Sequence, residues 1–276
     1  MKKFLLNAVI CSSIIVASTG PASAHEMFLK ANDYTLAPNT NSFLQLFTGT
    51  FDKSANSVGR DRMNDVSFVH NGTTTHPSND QWFDSNNISF LNIKTAEAGT
   101  YVAGVSTNAA TITLSIEDFT GYLKHDGILD TLKDFEKNNT LKQVRERYSK
   151  HVRTIFQVGD TRTDDYKKNL GYPIEILVNE NPTDLNVNDD LGFQVLFEGK
   201  PIASQLVYVS YEGFHGHDTS GGHLNAYKLR TDANGRATFK IQKPGNWYIS
   251  LIHMEKITDP DADYQSDWGT VTFQVK

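Results

Sequence analysis

From His25 to about Asp118, short runs of β-branched and aromatic residues alternate with turn residues. The runs Ser42–Phe47, Val66–His70, Ile88–Ile93, Tyr101–Ser106 and Ala110–Ile116 predict half-buried strands. Asn71-Gly72, directly after Val66–His70, predicts a two-residue hairpin, because both positions tolerate positive φ. Residues 25–118 therefore read as a first antiparallel β-sandwich or barrel.

The period then lengthens. Ile128, Leu129, Leu132 and Phe135 fall at helical spacing, and Leu141, Val144, Tyr148 and Val152 repeat the stripe behind Thr140 as an N-cap. This predicts two amphipathic helices, or one broken at Asn138-Asn139, in a helical insert and linker over 119–171. The polar run Gly159–Asp165 reads as a loop and a domain boundary.

Seven further strands follow at immunoglobulin-like spacing: Ile174–Val178, Phe193–Phe197, Leu206–Tyr211, Leu224–Leu229, Ala237–Ile241, Trp247–Ile252 and Thr270–Val275. Glu198-Gly199-Lys200-Pro201 and Asp232-Ala233-Asn234-Gly235 are turns between them. The expected fold is mostly β, with two β-sandwich domains, the C-terminal one (172–276) immunoglobulin-like, and the helical insert between them.

The first residues carry a different pattern. Lys2 and Lys3, the apolar stretch Phe4–Ala17, and Pro21-Ala22-Ser23-Ala24 match the three parts of a secretory signal cleaved after Ala24. The expected product is exported or periplasmic and begins at His25. Its formal charge passes from −6 to −8, because the leader holds two lysines and no acid. That balance argues against nucleic acid as a partner. The single cysteine, Cys11, leaves with the leader, so no disulfide or thiolate site is expected. No later segment approaches the roughly 20 apolar residues of a membrane span.

A chain that starts with histidine offers its α-amine and its own imidazole to one metal ion, and a further imidazole completes a histidine brace. Copper, nickel and zinc favour such nitrogen ligands. A second cluster, Phe214-His215-Gly216-His217-Asp218-Thr219-Ser220-Gly221-Gly222-His223, brings His215, His217 and His223 into one glycine-rich loop. The same residues also fit a solvated loop whose imidazoles titrate singly. His253 continues the apolar face of Trp247, Ile249 and Leu251, where a hydrogen-bonded core histidine is the alternative to a ligand. His70, His76, His125 and His151 are isolated, and His125 attracts interest because it precedes Asp126-Gly127 at the start of the insert.

Asp259-Pro260-Asp261-Ala262-Asp263 alternates carboxylates but lacks the glycine and distal glutamate of a calcium-binding EF-hand loop, and reads as an acidic turn. The chain has no nucleophile elbow, zinc-protease helix, P-loop or dinucleotide fingerprint, so no catalytic residue is assigned.

Several segments in order resemble the bacterial domain-of-unknown-function 4198 family, whose members are described as periplasmic components of cobalt and nickel uptake systems. They are His25–Leu29, Arg145–Lys150, Phe156–Gly159, Leu170–Ile176, Val195–Pro201, Arg230–Gly235, Pro244–Trp247 with His253-Met254, Ala262–Tyr264 and Trp268–Phe273. The resemblance implies nickel or cobalt as the metal and supports His25 and His253 as family positions. The loop histidines lie outside the matched pattern.

The expected function is a non-enzymatic, exported metal-binding protein that captures nickel, cobalt, copper or zinc and buffers it or passes it to a membrane importer. His25 would be the anchor, with His253 and one or more of His215, His217 and His223 as partners. Two alternatives stay open: a copper histidine-brace oxidase acting on polysaccharide, and a carbohydrate-binding or adhesion module with Trp82 and Tyr264 as aromatic contacts.

Overall fold

The computed structural model describes residues 26–214, 216–217, 223–224 and 226–276. The first stretch forms β1 (Glu26–Ala31), β2 (Thr35–Leu36), β3 (Asn41–Gly49), β4 (Met63–His70), β5 (Thr73–Thr75), β6 (Trp82–Ser85), β7 (Ile88–Lys94), β8 (Gly99–Thr107) and β9 (Ala110–Ser115). Two helices, α1 (Ile116–His125) and α2 (Leu129–Asn138), precede the long strand β10 (Gln143–Val158). Then come β11 (Ile174–Val178), β12 (Asp190–Phe197), β13 (Lys200–Pro201), β14 (Leu206–Tyr211), β15 (Gly216–His217) and β16 (His223–Leu224). The chain ends with β17 (Tyr227–Arg230), β18 (Arg236–Lys240), β19 (Gly245–Lys256) and β20 (Tyr264–Val275).

The protein is mostly β, as its alternating pattern predicts, and six of the seven C-terminal runs form as expected, whereas Leu224–Leu229 is divided between β16 and β17. Asn71 (φ 52°) and Gly72 (φ 75°) close the β4–β5 hairpin, and the buried Asp165 carboxylate accepts from both of their backbone N–H groups.

A ten-stranded sheet runs through the whole molecule in the order β17-β14-β19-β20-β10-β8-β4-β5, with β2 and β9 also on β10. At its centre β10 pairs parallel with β20, so strands from both halves of the chain share one sheet. A second sheet, β1-β3-β7-β6, covers one face of it over a core that includes Leu29, Leu44, Leu46, Leu91, Tyr101 and Phe156. A third, of β11, β12, β13 and β18, covers the other face over Phe193, Val209, Trp247, Ile249 and Phe273. The helices pack beside β1 on the first face, where Phe119, Tyr122 and Phe135 meet Tyr264 and Trp268.

Three expectations are corrected here. The stripe Leu141, Val144, Tyr148 and Val152 is not helical: from Gln143 onward these residues belong to β10, a central strand with polar residues buried on both faces. Those residues, among them Glu146, Lys150 and His151, hide its period of two. Helix α1 starts at Ile116, which was expected to end a strand; the Ser115 hydroxyl caps it, accepting from the Asp118 N–H at 3.0 Å. Trp82 and Tyr264 are 7% and 3% exposed, so both are core residues and neither offers a surface contact.

Candidate functional site

β1 has two dissimilar faces. Met27, Leu29 and Ala31 enter the core shared with β3 and β7, whereas Phe28 packs edge-on against Phe51 and Tyr248. Lys30, on the Phe28 face, donates to the Phe51 carbonyl at 3.0 Å and lies 4.3 Å from that ring's centroid. One edge of β1 pairs with β3. Along β1, hydroxyls from β20 also bond to its carbonyls: Thr270 donates to Met27 at 2.9 Å, and Thr272 donates to Leu29. Satisfied main-chain groups of this kind hold a buried strand in place.

This anchoring fixes the position of Glu26. Burial pushes its carboxyl up to about 7; a hydrogen bond from Ser250 opposes the rise, the charge of Asp126 adds to it, and Lys150 and His125 oppose it. Lys150 is buried beside Trp268, its ammonium 4.7 Å from the ring centroid. Burial brings it down to about 8 against the pull of Glu26, Asp126 and Glu146. Glu146 is 1% exposed and accepts from the Tyr122 hydroxyl at 3.0 Å and from Ser266. Burial raises its carboxyl as well.

The end of α1 closes the cluster. The His125 ring Nδ1 lies 2.6 Å from the Asp126 carboxylate, and His125 is largely exposed. Gly127 takes φ 71°, and the Tyr208 hydroxyl donates to its carbonyl at 2.7 Å. A Cβ on Gly127 would sit 1.9 Å from that hydroxyl, so both the backbone angle and the close approach require glycine. Glu26, Asp126 and Glu146 all act on the Lys150 ammonium, and Arg62 adds a further positive charge.

A cleft of about 280 Å³ opens beside this cluster, bordered by Asp126, Asp130, Gln205, Tyr208 and His253. His253 has its Nδ1 2.9 Å from Gln205 Oε1, its Nε2 3.3 Å from Glu255, and its ring 4.5 Å from Phe197. His25 and His215 lie outside the described residues. His217 and His223 are direct cross-strand partners in the β15–β16 hairpin. Among the described residues, no three metal-ligating side chains converge.

Sequence reasoning singled out His125 but not Asp126, Glu146 or Lys150. The available signal was the unusual density of charge in Arg145–Lys150, inside what the structure shows to be a central strand.

The family model described as Domain of unknown function (DUF4198) matches residues 22–255. The chain belongs to the DUF4198 family. No curated protein matches this DUF4198 chain. Among solved structures, it is similar to the D0-D1 domain of intimin, at 12% identity over 90% of this chain and 97% of that one, with a TM-score of 0.21. It is also similar to the Yersinia pseudotuberculosis adhesin InvE, at 12% identity over 91% of this chain and 58% of that one, with a TM-score of 0.23. Escherichia coli alpha-2-macroglobulin is matched at 8% identity over 92% of this chain but only 16% of that one, with a TM-score of 0.23. Overlaps this loose carry no functional argument.

Proposed function

We propose that the protein is exported, loses residues 1–24, and binds a divalent transition metal through the freed α-amine and imidazole of His25. The observation that carries this reading is the anchoring of β1: Glu26 is held beside His125 and Asp126, and residue 25 is one peptide bond away. His125, exposed at the end of α1, supplies the additional imidazole, and Asp126 orients its ring. Nitrogen donors of this kind suit copper, nickel, cobalt and zinc. The metal is cargo, buffered by this protein or handed to an importer.

The test uses the full chain, leader included, exported and purified after processing. Mass spectrometry of the N-terminus and elemental analysis are followed by titration with Cu(II), Ni(II), Co(II) and Zn(II). A His25 terminus with one metal per chain is expected. His25→Ala, or one extra alanine before His25, weakens binding by about 100-fold, and His125→Ala by about tenfold. A terminus elsewhere, or unchanged affinity in His25→Ala, overturns the reading.

A further inference from the structure

On the opposite face of the same strands lies a second polar system that this reading does not use. Cross-strand register places Ser149 of β10 opposite Asp267 of β20, and Asp267 opposite His253 of β19. Ser149 donates to Asp267 at 2.6 Å. The His151 ring has Nε2 2.9 Å from the Ser149 hydroxyl and 3.3 Å from Asp267, while its Nδ1 lies 2.9 Å from Ser106 of β8. Ser106, Ser149, His151 and Asp267 are each at least nine-tenths buried. Further along the same face, Ile155, Val271 and Phe273 form ordinary core.

Polar groups buried between two sheets are costly even when paired. Here they floor a cavity of about 700 Å³, within the range of small-molecule sites. The walls come from the Asn169–Pro173 loop and the Phe197–Gly199 turn. Gly104 helps shape one of them: a Cβ there would meet the Tyr172 hydroxyl at 2.8 Å and Leu170 at 2.4 Å.

The lining chemistry selects the ligand. Its buried charges are spent inside the protein, and Glu198 stands at the rim as an exposed carboxylate. Asp267 accepts from Ser149 and Gln265, Arg147 is taken up by Asp259 and Gln265, and Glu175 accepts the N–H groups of Leu170 and Gly171. Neutral groups remain. Among the described residues, the Asn64 amide, Asn108 Oδ1 and Asn169 Nδ2 make no hydrogen bond within the protein; Asn108 Nδ2 and Asn169 Oδ1 are already committed. Tyr172 and Phe197 add aromatic surface. Amides that both donate and accept, next to aromatic faces and compensated charges, suit hydroxyl groups on a carbon ring better than a phosphate, an amine or an aliphatic chain.

We propose that this cavity binds a small, neutral, hydroxyl-rich molecule of mono- or disaccharide size. The site is separate from the proposed metal centre, which lies on the other face of β10 and β20. The experiment measures binding of glucose, N-acetylglucosamine, maltose and trehalose to the purified chain by saturation-transfer NMR and calorimetry, with putrescine and citrate as charged comparators. At least one sugar is expected to bind with a Kd below about 1 mM, and both charged probes to stay silent. Asn64→Ala removes an exposed amide and should weaken that binding by about tenfold. Ala109→Trp, at the exposed rim, should abolish it with unchanged thermal stability. Silence from all four sugars, sugar binding indifferent to both variants, or binding of putrescine or citrate alone overturns the proposal.

Discussion

The two faces of β10 and β20 carry polar groups of opposite character one residue apart. On one face, Ser149, His151 and Asp267 satisfy one another through short hydrogen bonds. Hydrogen bonds from His151, Ser149 and Gln265 offset the burial of Asp267 and hold its carboxyl below the usual range. On the other, Lys150 and Glu26 are pushed toward neutrality, mainly by burial. The first arrangement is a finished network that shapes a cavity; the second keeps ionisable groups poised, a pattern that clusters at functional sites. Burial is common to both; hydrogen bonds outweigh it at Asp267, whereas it outweighs the opposing interactions at Lys150 and Glu26.

Removing the acceptor of the finished network should have the largest effect. Asp267→Ala strands Ser149, His151 and Gln265, and is expected to cost about 3–5 kcal/mol in chemical denaturation. Lys150→Met, on the poised face, leaves Glu26, Asp126 and Glu146 without that ammonium; Glu26 and Glu146 can take up protons in response, so the loss should be smaller, about 2–3 kcal/mol near pH 8. Equal losses in the two variants would erase the contrast.

A smaller effect is expected at the corner that positions the poised face. Gly127→Ala forces a side chain into a left-handed backbone angle and against Tyr208, for about 1–3 kcal/mol by thermal melting. A loss within error would mean that the α1 corner has another low-energy path.

The finest probe is pH. A carboxyl raised from 4.5 to about 7 in the folded protein contributes stability that is complete below pH 4.5 and is lost as pH rises to about 7. An ammonium lowered from 10.5 to about 8 destabilises fully below pH 8, and that penalty fades as pH rises toward 10.5. Stability should therefore pass through a shallow minimum between about pH 7 and 8. Glu26→Gln should flatten the acid side of that minimum, and Lys150→Met the alkaline side; a profile unchanged in both variants would remove the poised description.

Much of this fold was legible in the sequence because outer strands keep one wet face. Val66–His70 and Leu206–Val209 alternate between buried and half-buried positions, and Asn71-Gly72 and Glu198-Gly199 mark turns through their tolerance of positive φ. β10 was misread because neither of its faces is uniformly apolar, and four hydrophobic residues happen to fall at helical intervals. The cluster around Glu26 escaped for a related reason: its members come from β1, the end of α1, β10 and β19, and only the sheet order makes them neighbours. His253, by contrast, was correctly placed in a strand by alternation, and the structure adds its partner Gln205.

The hydroxyls that latch β1 belong to Thr270 and Thr272, 243 residues downstream of the carbonyls they serve. β10, the middle strand, likewise waits for β20 to supply its parallel neighbour. A chain emerging N-terminus first cannot complete its central sheet until its last dozen residues arrive, and contacts this distant in sequence form slowly. β1 and β20 therefore come together late, and cutting back β20 would remove the hydroxyls that latch β1 while leaving its pairing with β3.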